Sequence, residues 1–165
     1  MQALLSFLLH PRQPLWRYCL AAFPIALLPS LAVLAGVYFS LKTLGIDTSG
    51  MTPPERKTTL VDFFGTVLLA PLIETLLLSL LLTVLLRLTD RTLFAATVSG
   101  VLWGAFHATL GLLWFFGTAW SFFVLSCAYL GWRQRSFQQA FIAAAAPHAL
   151  INLSAMVVLA LERSA

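Results

Sequence analysis

Four residues in this chain pair acid–base or hydrogen-bonding chemistry with apolar surroundings: Glu74, His107, His148 and Asn152. Glu74 lies near the middle of an apolar run from Phe63 to Leu86. A run of that length reads as a membrane-spanning helix. A charged carboxylate at the bilayer centre costs about 3 kcal/mol or more, so it needs partners and marks a functional site by default. At about 1.5 Å per residue, Glu74 stands about 17 Å into its helix, counted from Phe63. His148 and Asn152 are four residues apart and share one helix face, as do Trp103 and His107.

If the helices carrying these residues pack together, a carboxylate, two imidazoles and a carboxamide converge on one small polar cavity able to hold water. Those are the parts for hydrolysis. A carboxylate shielded from bulk water suits a general base. One histidine beside it helps hold the water, and a second histidine with the asparagine donates hydrogen bonds to a developing oxyanion. The residue types leave other readings open: a hydrogen-bonded network that pins helices together, a bis-histidine haem site through His107 and His148, or a proton or ion pathway.

Composition sets the frame in which these residues act. The chain has 165 residues, 60% hydrophobic and 10% charged, where soluble domains carry about 25% charged residues. The expectation is an all-α, polytopic transmembrane helical bundle forming a single membrane domain over residues 1–165. The net charge of +4 does not point to nucleic acid, because the basic residues lie in short connections between apolar runs and form no stripe with interleaved aromatics. Cys19 and Cys127 sit inside apolar runs without redox or zinc spacing and read as small packing residues. No phosphate loop, dinucleotide fingerprint or serine elbow is present.

About five spans follow, after a short N-terminal interfacial helix over Met1 to Leu9; no basic region or cleavage site suggests a removable signal there. The first span runs from about Tyr18 to Leu41 and holds Pro24 and Pro29, which are expected to kink it. Lys42 to Thr59 is loop chemistry, with a short helix expected to begin at Pro53–Pro54. The second span covers about Asp62 to Leu86. Thr92 to Trp132 holds no charge and is long enough for two spans, with the turn around His107 to Gly111. The last span runs from Ala140 to Leu161. Alternating connections put Arg12, Arg17, Arg87, Arg91, Arg133 and Arg135 on one side, against Lys42, Arg56, Lys57 and Arg163 on the other. That bias places the N-terminus in the cytoplasm and the protein in an inner or plasma membrane. Trp114, Phe115, Phe116, Trp120, Phe122 and Phe123 read as an interfacial belt and lipid-facing surface. Gly100 and Gly104 form a small-xxx-small pair for close helix packing. No internal repeat or heptad seam sets an oligomeric state.

Three segments resemble the motifs of the CPBP family of intramembrane proteases, which includes the CAAX prenyl proteases and bacteriocin-immunity proteins. Pro71-Leu72-Ile73-Glu74 matches the proline and first glutamate of the family's first motif. Trp103-Gly104-Ala105-Phe106-His107, preceded by Ser99, matches its aromatic-and-histidine motif. His148-Ala149-Leu150-Ile151-Asn152 matches its last motif, and Tyr129 to Phe137 looks like the turn before it. The likeness covers about residues 60 to 155. It implies a glutamate-dependent endopeptidase acting on a membrane-associated, or C-terminally modified or sorted, protein or peptide. Glu74 would be the general base acting with His107 on water, and His148 and Asn152 would stabilise the oxyanion. No cofactor is implied. Zinc on Glu74, His107 and His148 is the less favoured option, since no ligand pair has the local spacing of a metalloprotease helix. A non-catalytic scaffold or immunity-like protein of the same fold is the alternative.

The first motif departs from the family pattern at Thr75 and Ser79, where the family has a second glutamate and an arginine. Those positions are four apart, so the family residues suit an ion pair along the helix. Replacing both partners together is close to neutral, whereas losing one strands a charge in the membrane.

Overall fold

The structure is a computed structural model that describes residues 2–53 and 57–164. Its described residues form helices and connections with no strand: α1 (Gln2–Leu9), α2 (Leu15–Thr43), α3 (Leu60–Phe64), α4 (Ala70–Leu88), α5 (Thr92–Ala108), α6 (Leu113–Arg133) and α7 (Phe137–Ser164). A π-helical turn at Gly65–Leu69 joins α3 to α4, so Leu60–Leu88 is one rod of 29 residues. That rod, α2, α6 and α7 are each long and apolar enough to cross a membrane. With 17 residues, α5 falls at the short end of the range for a span. The chain is an integral membrane helical bundle. The short helix expected at Pro53–Pro54 falls on Pro54, Glu55 and Arg56, which lie outside the described residues. Ahead of them the loop makes a 3-10 turn at Ser49–Met51, and Asp47 accepts hydrogen bonds from the backbone and side chain of Ser49. Those bonds hold the exposed Asp47 carboxyl below its usual pKa.

The centre of the bundle is α6, which touches α1, α2, α4, α5 and α7. Its contact with α5 depends on the absence of side chains. A Cβ on Gly100 would stand 2.8 Å from the Ala119 carbonyl oxygen, and one on Gly104 2.8 Å from the Ala119 methyl. The two helices therefore approach as closely as a small-xxx-small pair permits. Polar bonds join other helices: Ser30 to Ser121 at 2.8 Å, and Ser126 to Ser99 at 2.9 Å.

Both expected prolines lie inside a continuous α2. Pro29 has no N–H for the Ile25 carbonyl four residues back, and Trp120 of α6 donates its indole N–H to that carbonyl at 2.9 Å. The bundle thus satisfies from outside the helix what the proline withholds within it.

Two expectations need adjusting. The aromatic run on α6 does not all face outward: Phe122 is buried, while Trp114, Phe115, Phe116, Trp120 and Phe123 are each partly accessible. The reason is position, since a helix surrounded on most sides has little face left for lipid. The N-terminal helix is also more than an interfacial float. Leu8 is fully buried, and Tyr18 donates its hydroxyl to the Leu8 carbonyl at 3.0 Å. Arg135 reaches the Pro11 carbonyl at 2.6 Å. These bonds put the ends near residues 11 and 135 on one face of the bundle. At the opposite face Gly111 packs against the backbone of Thr52 and Pro53.

Candidate active site

Glu74 is near the midpoint of the 29-residue rod, and local chemistry sets which way it faces. The buried positions Val67, Pro71, Thr75, Leu78 and Leu82 form one stripe along the rod. Glu74 follows Pro71 by three residues and lies on the edge of that stripe. It is not sealed, with 22% of its side chain accessible. Thr75 and Ser79 are both buried. Ser79 closes its hydroxyl on its own helix, donating to the Leu76 carbonyl at 2.7 Å. A small hydroxyl at this position is thus accommodated without a charged partner.

The structure brings His107 and His148 to Glu74. His107 lies in the last turn of α5, and its Nε2 is 3.9 Å from Glu74 Oε2. His148 comes from mid-α7, and its Nε2 is 3.6 Å from the same oxygen. Both imidazoles are buried. His107 Nδ1 lies 2.9 Å from the carbonyl oxygen of Trp103, one helical turn back. A carbonyl can only accept, so Nδ1 donates this bond and Nε2 is the ring atom turned toward Glu74. His148 Nδ1 has no hydrogen-bond partner among the described residues. Nε2 is the ring atom that faces the carboxylate.

Asn152 is placed differently from its helix neighbour His148. Its Nδ2 donates to the Thr66 carbonyl in the π turn at 2.8 Å. One amide hydrogen is thus engaged with backbone on the rod that carries Glu74, and a second remains on the same nitrogen.

Sequence reasoning missed the ring system that supports the imidazoles. Phe122 of α6 stacks on Trp103, with centroids 4.6 Å apart and planes 8° from parallel. The same phenyl ring stands 5.2 Å from His107 and 5.2 Å from His148. Trp114 meets His107 edge-on at 5.2 Å. Nothing in the aromatic run singles out Phe122 before the helices are packed. Thr66 was missed as well: a proline at 71 points to the carbonyl four residues back, at Val67, and only the π turn moves the effect to Thr66.

No group of three or more His, Cys, Asp or Glu side chains suited to a metal ion is gathered among the described residues. The arrangement is a carboxylate flanked by two buried imidazoles, inside a membrane bundle. Such a set suits the activation of a water molecule and the stabilisation of an oxyanion.

Among known proteins, the family model described as type II CAAX prenyl endopeptidase Rce1-like matches residues 56–154. That is more than half of the chain and the stretch that holds all four candidate residues. Neither the curated proteins nor the solved structures yield a match. The chain therefore belongs to the Rce1-like family of type II CAAX prenyl endopeptidases.

Proposed function

We propose that this protein is an intramembrane endopeptidase in which Glu74 activates water to cleave a peptide bond of a membrane-associated protein, or of a C-terminally modified or sorted one. The observation that carries this reading is the position of Glu74 Oε2, 3.9 Å from one imidazole nitrogen and 3.6 Å from another. A water molecule bound at that carboxylate can donate a hydrogen bond to it. Such a water loses its proton to Glu74 as its oxygen attacks the scissile carbonyl carbon. The developing oxyanion accepts the Nε2–H of His148 and the remaining Nδ2 hydrogen of Asn152. When the C–N bond breaks, Glu74 returns the proton to the leaving amine, which restores the carboxylate. The mechanism uses water and side chains alone and needs no cofactor.

The bilayer supplies both substrate and environment, and electrostatic contacts in the site are strengthened by the low dielectric. Six arginines flank the end of the bundle that holds the N-terminal helix, and we place that end in the cytoplasm. The test is Glu74→Gln expressed in the native membrane, with the termini of membrane proteins compared against wild type and a deletion strain. A species cleaved only by wild type supports the proposal. Cleavage by the glutamine variant at the wild-type rate overturns the role of Glu74 as base, and termini identical in wild type and the deletion strain leave the non-catalytic scaffold as the reading.

A further inference from the structure

The π turn and the asparagine facing it belong together. In a continuous α-helix the Thr66 carbonyl would accept from the Ala70 N–H. Here the Ala70 N–H goes to Gly65, one residue further back. The next backbone nitrogen along a π ladder belongs to Pro71, which has no hydrogen. Asn152 donates to Thr66 from α7 instead. The chain uses the same solution at Pro29, where Trp120 of α6 donates to the Ile25 carbonyl. At Thr66 the bond has an added consequence. It ties α7, which carries His148, to the rod that carries Glu74, eight residues beyond Thr66 and just past the turn.

We propose that Asn152 is a positioning residue as well as a donor to the oxyanion: its bond to the Thr66 carbonyl holds the π turn left by Pro71 and so sets the direction in which Glu74 faces His107 and His148. A π turn carries one more residue per turn than an α-helix, so its loss or migration rotates everything after it about the helix axis. Glu74 is only three residues past Pro71 and would move with it. The inference rests on the reading of Glu74 as the base, but its first test needs no activity.

Asn152 is the only asparagine in the chain, so asparagine-specific 15N labelling yields a single side-chain amide pair. In lipid nanodiscs, one proton of that pair is expected to exchange slowly with solvent in wild type and in Glu74→Gln. It is expected to lose protection in Pro71→Ala, where a restored backbone N–H competes for the Thr66 carbonyl. Equal exchange of the two protons in wild type overturns the proposal. So does protection that disappears in Glu74→Gln, which would mean that the amide holds Glu74, or protection unchanged in an accumulating Pro71→Ala. If Pro71→Ala does not accumulate, the wild-type and Glu74→Gln spectra decide. On the activity side, Asn152→Ala is expected to lower kcat by about 10-fold or more with KM little changed. The loss should shrink in the Pro71→Ala background, because the two residues act on one carbonyl. An equal loss in both backgrounds assigns Asn152 wholly to the substrate and overturns the positioning role.

Discussion

Replacing Glu74 by glutamine separates catalysis from architecture, because the amide keeps the shape of the side chain and loses only its basicity. General-base catalysis contributes about 10²- to 10⁴-fold, which corresponds to about 3–5 kcal/mol of barrier at about 1.4 kcal/mol per tenfold. The stability effect has the opposite sign. A charged carboxylate costs about 3 kcal/mol at the bilayer centre, and with 22% of the Glu74 side chain accessible the actual penalty is smaller. The Glu74→Gln variant is therefore expected to fold at least as well as wild type, with an equal or higher Tm in detergent. Glu74→Asp retracts the carboxylate by about one bond length, and a displacement of about 1 Å costs about 10²-fold. The assay is cleavage of a processed membrane protein, identified by comparing termini, in proteoliposomes at matched enzyme levels. Activity of Glu74→Gln within about threefold of wild type would refute the base assignment, since even the low end of general-base catalysis is about 10²-fold. A variant that is inactive but has a markedly lower Tm would refute the structural half of the argument, because Glu74 would then be holding the helices together.

His107→Ala is expected to lose activity to a similar degree as Glu74→Gln, and the double variant to lose little more, because the two groups act on one water; additive losses in kcat would show separate roles. Phe122→Leu removes the ring that touches both imidazoles and is expected to lower kcat by about 10-fold with KM nearly unchanged; a change confined to KM would place Phe122 against substrate instead. Gly131→Ala puts a Cβ 2.4 Å from the Leu8 carbonyl oxygen and is expected to lower stability by about 1–3 kcal/mol, seen as a reduced Tm. Gly117→Ala, whose nearest neighbour would be 3.4 Å away, should leave Tm near wild type and serves as the control. Dialysis against a chelator is expected to leave cleavage unchanged; activity lost with the chelator and restored by zinc would replace the water-only mechanism.

Much of the architecture was legible from residue order alone. The apolar runs, the turn after His107 and the charged connections follow from what a bilayer permits: every backbone polar group must bond internally, so long uncharged runs become helices. The mid-membrane position of Glu74 was equally plain, as was the shared face of His148 and Asn152. Within the aromatic run of α6, Phe122 was misread for a physical reason. In water, an inward face announces itself by an apolar stripe. In a membrane the outward face is apolar too, so Phe122 and a lipid-facing phenylalanine look alike in sequence.

The same reasoning divides the site. Residue types and spacing alone determined that one acid, two imidazoles and a carboxamide would lie within the membrane on three helices, because charge and helical period are local properties. Packing decided which of their atoms meet. The glycines at 100 and 104 let α5 close on α6, and Phe122 then stands between Trp103 and both imidazoles. The Trp103 carbonyl accepts from His107 Nδ1, which leaves Nε2 facing Glu74. Pro71 was visible from the start, but its consequence was not. The missing N–H creates a demand for a donor, and only the approach of α7 shows that Asn152 meets it.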